Sequence, residues 1–137
     1  MVLDAVRLQD SFREIAPRGE EFVSAFYNRL FEKHPELRAL FARTDMEAQR
    51  KKLLGALVLV VEHLRSPEVL APTLAALGRR HQEVGVLPEH YPLVGEVLLE
   101  TLAAFLQDRW TPELAAAWQG AYEFLARQLL ESYASAA

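Results

Sequence analysis

The sequence of 137 residues contains no cysteine, and this absence removes several kinds of chemistry at once. A chain without thiols has no disulfide framework, no thiolate zinc or iron–sulfur site and no cysteine nucleophile. Such a composition suits a reducing compartment, so we expect a cytoplasmic protein.

Long apolar runs and clustered positive charge are missing too. The longest apolar run, Leu53 to Val61, is far shorter than the roughly twenty residues that span a bilayer. The segment Met1 to Phe12 mixes charged and apolar residues and lacks the apolar core of a signal peptide. The net charge is −4, and the lysines and arginines are dispersed along the chain. We therefore expect a soluble protein that binds neither membranes nor nucleic acid.

Common catalytic motifs are absent as well. The sequence has no HExxH zinc motif, no glycine-rich phosphate loop and no nucleophile elbow. His34, His63 and His90 show no zinc-ligand spacing, and we interpret them as caps or surface residues. The scattered carboxylates are explained more simply as helix starts and solvent faces than as an acid–base pair. One histidine, His81, remains as a candidate functional residue.

Apolar residues recur three and four positions apart throughout the chain, and no segment alternates at two over a convincing length. This pattern predicts an all-α protein with six to seven helices. The predicted segments are a helix from about Leu3 to Ala16, a helix carrying Phe22 to Phe31, a short turn with Leu37 to Phe41, a helix with Leu53 to Leu64, a helix ending at His81, a helix from Pro88 or Pro92 to Gln107, and a last helix with Leu114 to Leu129.

Three of these helices begin at recognisable caps. Thr44-Asp45-Met46-Glu47 is a capping box, in which the first side chain accepts from a backbone amide and the glutamate reaches back. Ser66-Pro67-Glu68 and Thr111-Pro112-Glu113 each place a hydroxyl cap and a proline before an acidic residue. Helices of unequal length with short connections favour crossed packing around a cavity, in a single domain of residues 1–137.

His81 is the residue that points most directly to a function. A histidine on a helix is more often a surface or satisfied core residue. This one, however, ends the helical segment Leu77-Gly78-Arg79-Arg80-His81 and precedes Gly85-Val86. A haem iron held by one imidazole needs a neutral ring whose other nitrogen donates to a fixed acceptor, and backbone carbonyls at a helix end supply such acceptors.

Four parts of the sequence occur together in a specific order: Phe26-Tyr27-Asn28-Arg29-Leu30-Phe31, His34-Pro35-Glu36-Leu37-Arg38 with Leu40-Phe41, Leu77 to His81 with Gly85-Val86, and His90-Tyr91-Pro92-Leu93-Val94-Gly95. With a weaker match at Trp118 to Tyr122, they resemble the single-domain bacterial globins, which are related to the globin part of flavohaemoglobins. The resemblance covers essentially the whole chain. It implies a globin fold of six to seven helices packed around a pocket for haem b.

The resemblance implies that His81 is the proximal iron ligand and that Tyr91 lies beside it. The alternative for Tyr91 is a structural tyrosine at a Tyr-Pro helix start. Flavohaemoglobin-type globins add a glutamate from the last helix on this side. Counting from Ala121-Tyr122, that position is Tyr133 here, and Glu131 falls on another face. A strongly electron-donating proximal side is therefore not expected.

On the other side of the iron the resemblance points to Tyr27 and Gln49. Bound dioxygen gains electron density, and a phenol O–H or an amide N–H can stabilise it by donating a hydrogen bond. The alternatives are an ordinary core aromatic for Tyr27 and a solvated helix residue for Gln49. Choosing Gln49 places Leu53, four residues later, on the same face as an apolar wall. Slow oxygen release is the predicted consequence.

Phe41 is expected to pack against the porphyrin, although core packing alone would select the same aromatic residue. Lys52 or Arg80 could meet the haem propionates, but a solvated face is the simpler account of both. The other predicted haem contacts are Leu53, Val86, Tyr91, Val94 and Leu98.

Three functions are compatible with this interpretation. The preferred one is reversible binding of dioxygen for storage, scavenging or delivery. The second is a nitric oxide dioxygenase served by a separate reductase, because 137 residues leave no room for a flavin domain. The third, a gas sensor, ranks last since no output domain is encoded. We expect a monomer or weak homodimer whose ferrous iron is five-coordinate without a gas ligand.

Overall fold

The computed structural model describes residues 4–133, which form α-helices joined by short turns and 3₁₀ segments. The described range contains no strand, so the all-α prediction is confirmed. None of the helices in that range combines the length and the apolar content that crossing a bilayer requires. The helices are α1 (Ala5–Ile15), α2 (Gly19–Lys33), α3 (Met46–Glu62), α4 (Pro67–Glu83), α5 (His90–Leu106) and α6 (Pro112–Glu131), with 3₁₀ segments at Ala16–Arg18, Pro35–Phe41 and Gln107–Arg109.

The capping box was predicted one residue too early. Asp45 rather than Thr44 is the N-cap of α3, with an extended backbone and a carboxylate that accepts from the Glu47 amide at 3.1 Å. Aspartate ranks above threonine as a cap, and its charge also suits the positive end of the helix dipole. At its other end α3 stops at Glu62, so the predicted Leu64 lies beyond the helix.

The other helix starts agree better with the predictions. Thr111 caps α6, and its hydroxyl accepts from the Leu114 amide at 3.1 Å. Ser66 is the N-cap of α4 by position, but its side chain makes no capping hydrogen bond. α5 begins at His90, between the two prolines proposed as starts. For α1 the predicted start, Leu3, lies outside the described residues.

The core lies where α2 crosses α5. Phe22 is fully buried and meets the ring of Phe105 edge-on, with the centroids 5.3 Å apart. Thr101 of α5 is also fully buried; its hydroxyl donates to the Val97 carbonyl and accepts from Arg29 of α2 at 3.4 Å. Because burying one phenylalanine stabilises a fold by about 1.5–3 kcal/mol, this crossing holds the two helices firmly together.

α4 packs on α6 at very short range. Gly78 of α4 is buried, and a Cβ at this position would overlap the Leu129 carbonyl oxygen and the Ser132 hydroxyl. Only glycine lets the two backbones approach this closely. The contact lies three residues before His81 and therefore determines where the last turn of α4 sits against α6.

α3 and α4 make no extended contact with each other within residues 4–133. α3 packs on α1 and α2, whereas α4 packs on α6. Only Val61 of the 17 residues of α3 is buried. The other apolar side chains of α3 that pack against the core remain partly exposed; they are Met46, Leu53, Leu54, Leu57, Val58 and Val60.

Candidate functional site

His81 lies in the last turn of α4, where its side chain is partly buried. Its Nδ1 is 2.8 Å from the carbonyl oxygen of Leu77, one turn earlier. Since a carbonyl can only accept, Nδ1 carries the ring hydrogen and Nε2 keeps its lone pair. A neutral imidazole in this tautomer presents Nε2 as a metal ligand.

The corner after α4 is built around the same residue. Gly85 has a φ of +98°, a conformation that favours glycine, and the turn brings the Val86 amide to the His81 carbonyl at 2.9 Å. A Cβ on Gly85 would lie 3.6 Å from a methyl carbon of Leu40. The Pro35–Phe41 segment therefore closes against the corner that follows His81.

Tyr91, in the first turn of α5, lies beside His81, with the ring centroids 6.4 Å apart and the planes inclined by 31°. Its side chain is buried. Its hydroxyl oxygen is 2.9 Å from that of Tyr133. Burial first, and then the hydrogen bond to Tyr133, raise the pKa of Tyr91 above its ordinary value, so the phenol is neutral at physiological pH.

Tyr133 occupies the position where the resemblance implies a glutamate. Its hydroxyl oxygen lies 2.9 Å from both the Tyr91 hydroxyl and the Val86 carbonyl oxygen. Glu131 is exposed. The prediction that Tyr133, rather than Glu131, faces Tyr91 is confirmed.

Tyr122 of α6 is a residue of this region that the sequence pattern did not reveal. Its hydroxyl donates to the Tyr91 carbonyl oxygen at 2.6 Å, and burial raises the pKa of its phenol. Its ring lies so close to Gly95 that a Cβ there would be 2.5 Å from the ring. The sequence did carry one signal, because a glycine inside a strong helix often marks a close packing contact.

Tyr27 of α2 and Gln49 of α3 are brought together across the two helices. Gln49 Nε2 donates to the Tyr27 hydroxyl oxygen at 3.1 Å. Tyr27 is only 5% exposed, and burial raises the pKa of its phenol while the hydrogen bond from Gln49 acts in the opposite direction. The phenol therefore stays protonated, and its hydrogen is not the one used in the bond with Gln49.

Three phenylalanine rings surround Tyr27. Phe26 and Phe41 meet it edge-on, with centroids 5.1 and 5.6 Å away, and Phe31 stacks on it at 6.0 Å. Phe41 also meets Phe31 edge-on at 5.4 Å. Because aromatic rings prefer these geometries, the cluster holds the Tyr27 phenol in one orientation and keeps Phe41 in direct contact with it.

The other predicted haem contacts lie on α3, on α5 and at the corner between α4 and α5. Leu53 of α3 and Val94 of α5 are partly buried against the core. Leu98, one turn after Val94, is 8% exposed. Val86 is partly buried at the corner.

These residues fit a flat apolar group held by one imidazole. α3 carries partly exposed apolar side chains, and His81 of α4 offers a single nitrogen in a defined tautomer. Among residues 4–133, no three histidine, aspartate or glutamate side chains form a metal-binding group. A haem iron needs only one such protein ligand, because the porphyrin nitrogens hold the metal in its plane. Lys52 and Arg80, the candidate propionate partners, are both exposed.

The remaining histidines act as the sequence interpretation expected. His63 is the C-cap of α3, and its Nδ1 is 2.8 Å from the Leu59 carbonyl oxygen. His90 Nδ1 accepts from the Leu87 amide at 3.0 Å. His34 separates α2 from the Pro35–Phe41 segment, and its Nε2 is buried without a hydrogen-bond partner among the described residues.

The chain matches the globin family model over residues 24–129. It belongs to the globin family, and the predicted globin fold is confirmed. Together with the flavohemoprotein relatives, this membership implies a haem cofactor.

Similar proteins include globins of different size. The chain is 37% identical over 114 residues to a flavohemoprotein of Rhodopirellula baltica. The aligned region is 82% of this chain but only 28% of that relative. It is also 37% identical to a globin-like protein of Aquifex aeolicus, covering 82% of this chain and 78% of that one. An engineered carbene transferase, made from a provisionally named nitric oxide dioxygenase of Rhodothermus marinus, superposes with a TM-score of 0.77 at 31% identity, covering 90% and 88% of the two chains.

Proposed function

We propose that this protein binds haem b through His81 and holds dioxygen reversibly beside Tyr27 and Gln49. Bound haem would supply a ferrous iron that takes up diatomic gases. Nε2 of His81 would be the iron ligand, while the Leu77 carbonyl keeps the ring in one orientation. The haem must be held without thioether bonds, because the sequence has no cysteine. The side chains proposed to contact the macrocycle are Phe41, Leu53, Val86, Tyr91, Val94 and Leu98.

The hydrogen bond from Gln49 to Tyr27 is the observation that carries this proposal. Since the amide donates to the phenol oxygen, the phenol hydrogen is left to be donated to a gas ligand. A hydrogen bond to a charged acceptor is worth roughly 1.5–3 kcal/mol. Such a bond would slow the loss of a polarised ligand such as dioxygen by a factor of about ten to more than a hundred.

The surroundings of His81 favour reversible binding over redox turnover. The hydrogen-bond partners that the structure gives to His81, Tyr91 and Tyr133 are backbone carbonyls and phenols, all of them neutral. A carboxylate partner would make the imidazole a stronger electron donor to the iron. A neutral partner leaves the ferrous state, which is the state that binds dioxygen, comparatively stable.

Nitric oxide dioxygenation is the second candidate, favoured by the similarity to the Rhodothermus marinus protein and to flavohemoproteins. In that reaction one nitric oxide, one dioxygen and one electron give one nitrate. The chain spans about a quarter of the length of the flavohemoprotein relatives, and the proposed reaction needs a reductase to supply the electron. Tyr27 would hold the dioxygen in place until nitric oxide arrives.

Absorption spectroscopy of the recombinant protein tests both candidates. We expect a Soret band, a five-coordinate ferrous spectrum without gas, and an oxygenated spectrum that persists for minutes in air. Mixing the oxygenated protein with nitric oxide in a stopped-flow instrument, followed by addition of a cellular reductase fraction, separates the two functions. Rapid oxidation with sustained re-reduction would favour the dioxygenase, and oxidation without re-reduction the oxygen binder. A colourless protein that takes up no haem would exclude both.

A further inference from the structure

Two tyrosine hydroxyls and a backbone carbonyl form a continuous chain of hydrogen bonds next to His81. The hydroxyl oxygens of Tyr91 and Tyr133 are 2.9 Å apart, and Tyr133 is 2.9 Å from the Val86 carbonyl oxygen. The chain joins three separate parts of the protein: the start of α5, the end of α6 and the corner after α4.

The direction of this chain follows from the number of hydrogens. A carbonyl oxygen has none to give, so Tyr133 must donate its single hydrogen to Val86. The bond between the two hydroxyls then requires the hydrogen of Tyr91, with the Tyr133 oxygen as acceptor. The hydrogen of Tyr91 is therefore used in the bond to Tyr133, which fixes the orientation of the Tyr91 hydroxyl while the Tyr91 ring lies beside the imidazole.

Val86 is tied at both of its backbone groups. Its amide donates to the His81 carbonyl at 2.9 Å, and its carbonyl accepts from Tyr133. Between His81 and Val86 the chain turns at Gly85, whose positive φ makes this a sharp turn. A change at Tyr133 is thus transmitted to the last turn of α4 through one residue.

We propose that Tyr133 is a positioning residue for His81. It anchors the corner after α4 to the segment that follows α6 and, by accepting from Tyr91, fixes the Tyr91 hydroxyl so that its oxygen does not compete with the Leu77 carbonyl for the Nδ1 hydrogen of His81. The part of this inference that concerns iron rests on the proposed function. The anchoring of the corner does not, because the hydrogen bonds involve only protein groups.

Removing either hydroxyl deletes one oxygen, but the consequences differ. Tyr133→Phe leaves the Val86 carbonyl without its donor and the Tyr91 hydroxyl without its acceptor. Tyr91→Phe leaves the bond from Tyr133 to Val86 intact and strands no donor. Leaving a polar group without a hydrogen-bond partner in a partly buried site costs free energy. Tyr133→Phe should therefore destabilise the corner after α4 more than Tyr91→Phe does. Tyr122→Phe is a matched control, since this hydroxyl of α6 also donates to a backbone carbonyl, that of Tyr91.

Amide hydrogen exchange on the haem-free proteins measures the anchor directly. We expect exchange across residues 84–87 to rise about tenfold or more in Tyr133→Phe, and less than about threefold in Tyr91→Phe. In Tyr122→Phe the increase should instead fall on the first turn of α5. Equal exchange at the corner in wild type and Tyr133→Phe would overturn the proposal.

Resonance Raman spectra of the ferrous, haem-loaded proteins test the orientation of the histidine. The iron–histidine stretching band should shift or split in Tyr133→Phe, because the freed Tyr91 oxygen can then compete with the Leu77 carbonyl for the Nδ1 hydrogen of His81. In the double variant Tyr91→Phe/Tyr133→Phe this shift should disappear, while the fast corner exchange remains. A band unchanged in Tyr133→Phe would overturn the inference that Tyr133 fixes the Tyr91 hydroxyl. A wild-type protein with no iron–histidine band would instead refute the proposed function, and the haem-free exchange experiment would still decide whether Tyr133 anchors the corner.

Discussion

α3 and α4, the helices that carry Gln49 and His81, are packed against the rest of the protein in very different ways. α4 is pressed against α6 at Gly78, where there is no room for a side chain, and the corner that follows it is tied to Tyr133. α3 has the same length of 17 residues but buries only Val61, and a Cβ on Gly55 would meet nothing within 4 Å.

This difference matches the demands on the two sides of a haem. A metal ligand must keep a constant position and tautomer, which close backbone packing and a local carbonyl acceptor provide. The side that admits and releases a gas needs apolar space and a small number of placed donors. In the proposed function α3 would supply these through Gln49 and a set of partly exposed leucines and valines.

The largest expected effect comes from removing the imidazole on the α4 side. His81→Ala should lower haem affinity by at least about a hundredfold, because it removes the proposed iron ligand itself. His63→Ala is the matched control, since His63 Nδ1 is also 2.8 Å from the carbonyl four residues earlier in its helix. Titration with haem, followed at the Soret band, should distinguish the two variants. Tight haem binding with an unchanged spectrum in His81→Ala would refute the assignment.

On the α3 side, Tyr27→Phe should accelerate dioxygen release at least about tenfold, because one hydrogen bond to a polarised ligand is lost. Carbon monoxide release should change less, since bound carbon monoxide carries less charge. Gln49→Leu should have the smaller effect of the two if Gln49 acts by orienting Tyr27. Flash photolysis or stopped-flow displacement measures these rates. An unchanged dioxygen rate in Tyr27→Phe would remove this residue from ligand binding.

The packing contrast itself is tested by alanine at two glycines. Gly78→Ala should lower the free energy of unfolding by about 1–3 kcal/mol, because the new Cβ forces α4 and α6 apart. Gly55→Ala should raise it by up to about 1 kcal/mol, because alanine favours a helix and meets open space. Urea unfolding of the haem-free proteins gives both values. Similar losses at both positions would contradict the difference between the two helices.

The smallest effect concerns alkaline pH. Burial raises the pKa values of Tyr27, Tyr91 and Tyr122 above 10.0, so the folded protein retains these protons where the unfolded chain loses them. Their contribution to stability is complete below about pH 10 and is lost as pH rises through the folded pKa values. Tyr122→Phe should reduce the decline in unfolding free energy above pH 10 by about one proton, or roughly 1.4 kcal/mol per pH unit. An identical pH dependence in the variant and the wild type would argue against burial of this phenol.

Features that depend on neighbouring residues were predicted well. The start of α6 at Thr111-Pro112 follows from residues within one turn of each other, and the end of α4, predicted at His81, lies two residues later at Glu83. The error at Thr44 arose because two adjacent residues both suit an N-cap, and the choice of Asp45 depends on the backbone conformation of the preceding loop.

Features that join distant parts of the chain were harder to foresee. The hydroxyls of Tyr122 and Tyr133 reach backbone carbonyls 31 and 47 residues earlier in the chain. A backbone carbonyl is present at every position, so the sequence contains no sign of which one is used. Only the packing of α6 against α4 and α5 selects the carbonyls of Tyr91 and Val86.

The amino-acid sequence alone determined the helical class and the absence of any thiol chemistry. These properties depend on short-range periodicity and composition. The tertiary structure decided which hydroxyl meets which partner: Gln49 with Tyr27, and Tyr91 with Tyr133 and Val86. Such pairings depend on how helices cross, and the crossing is set by the summed packing of side chains far apart in the chain.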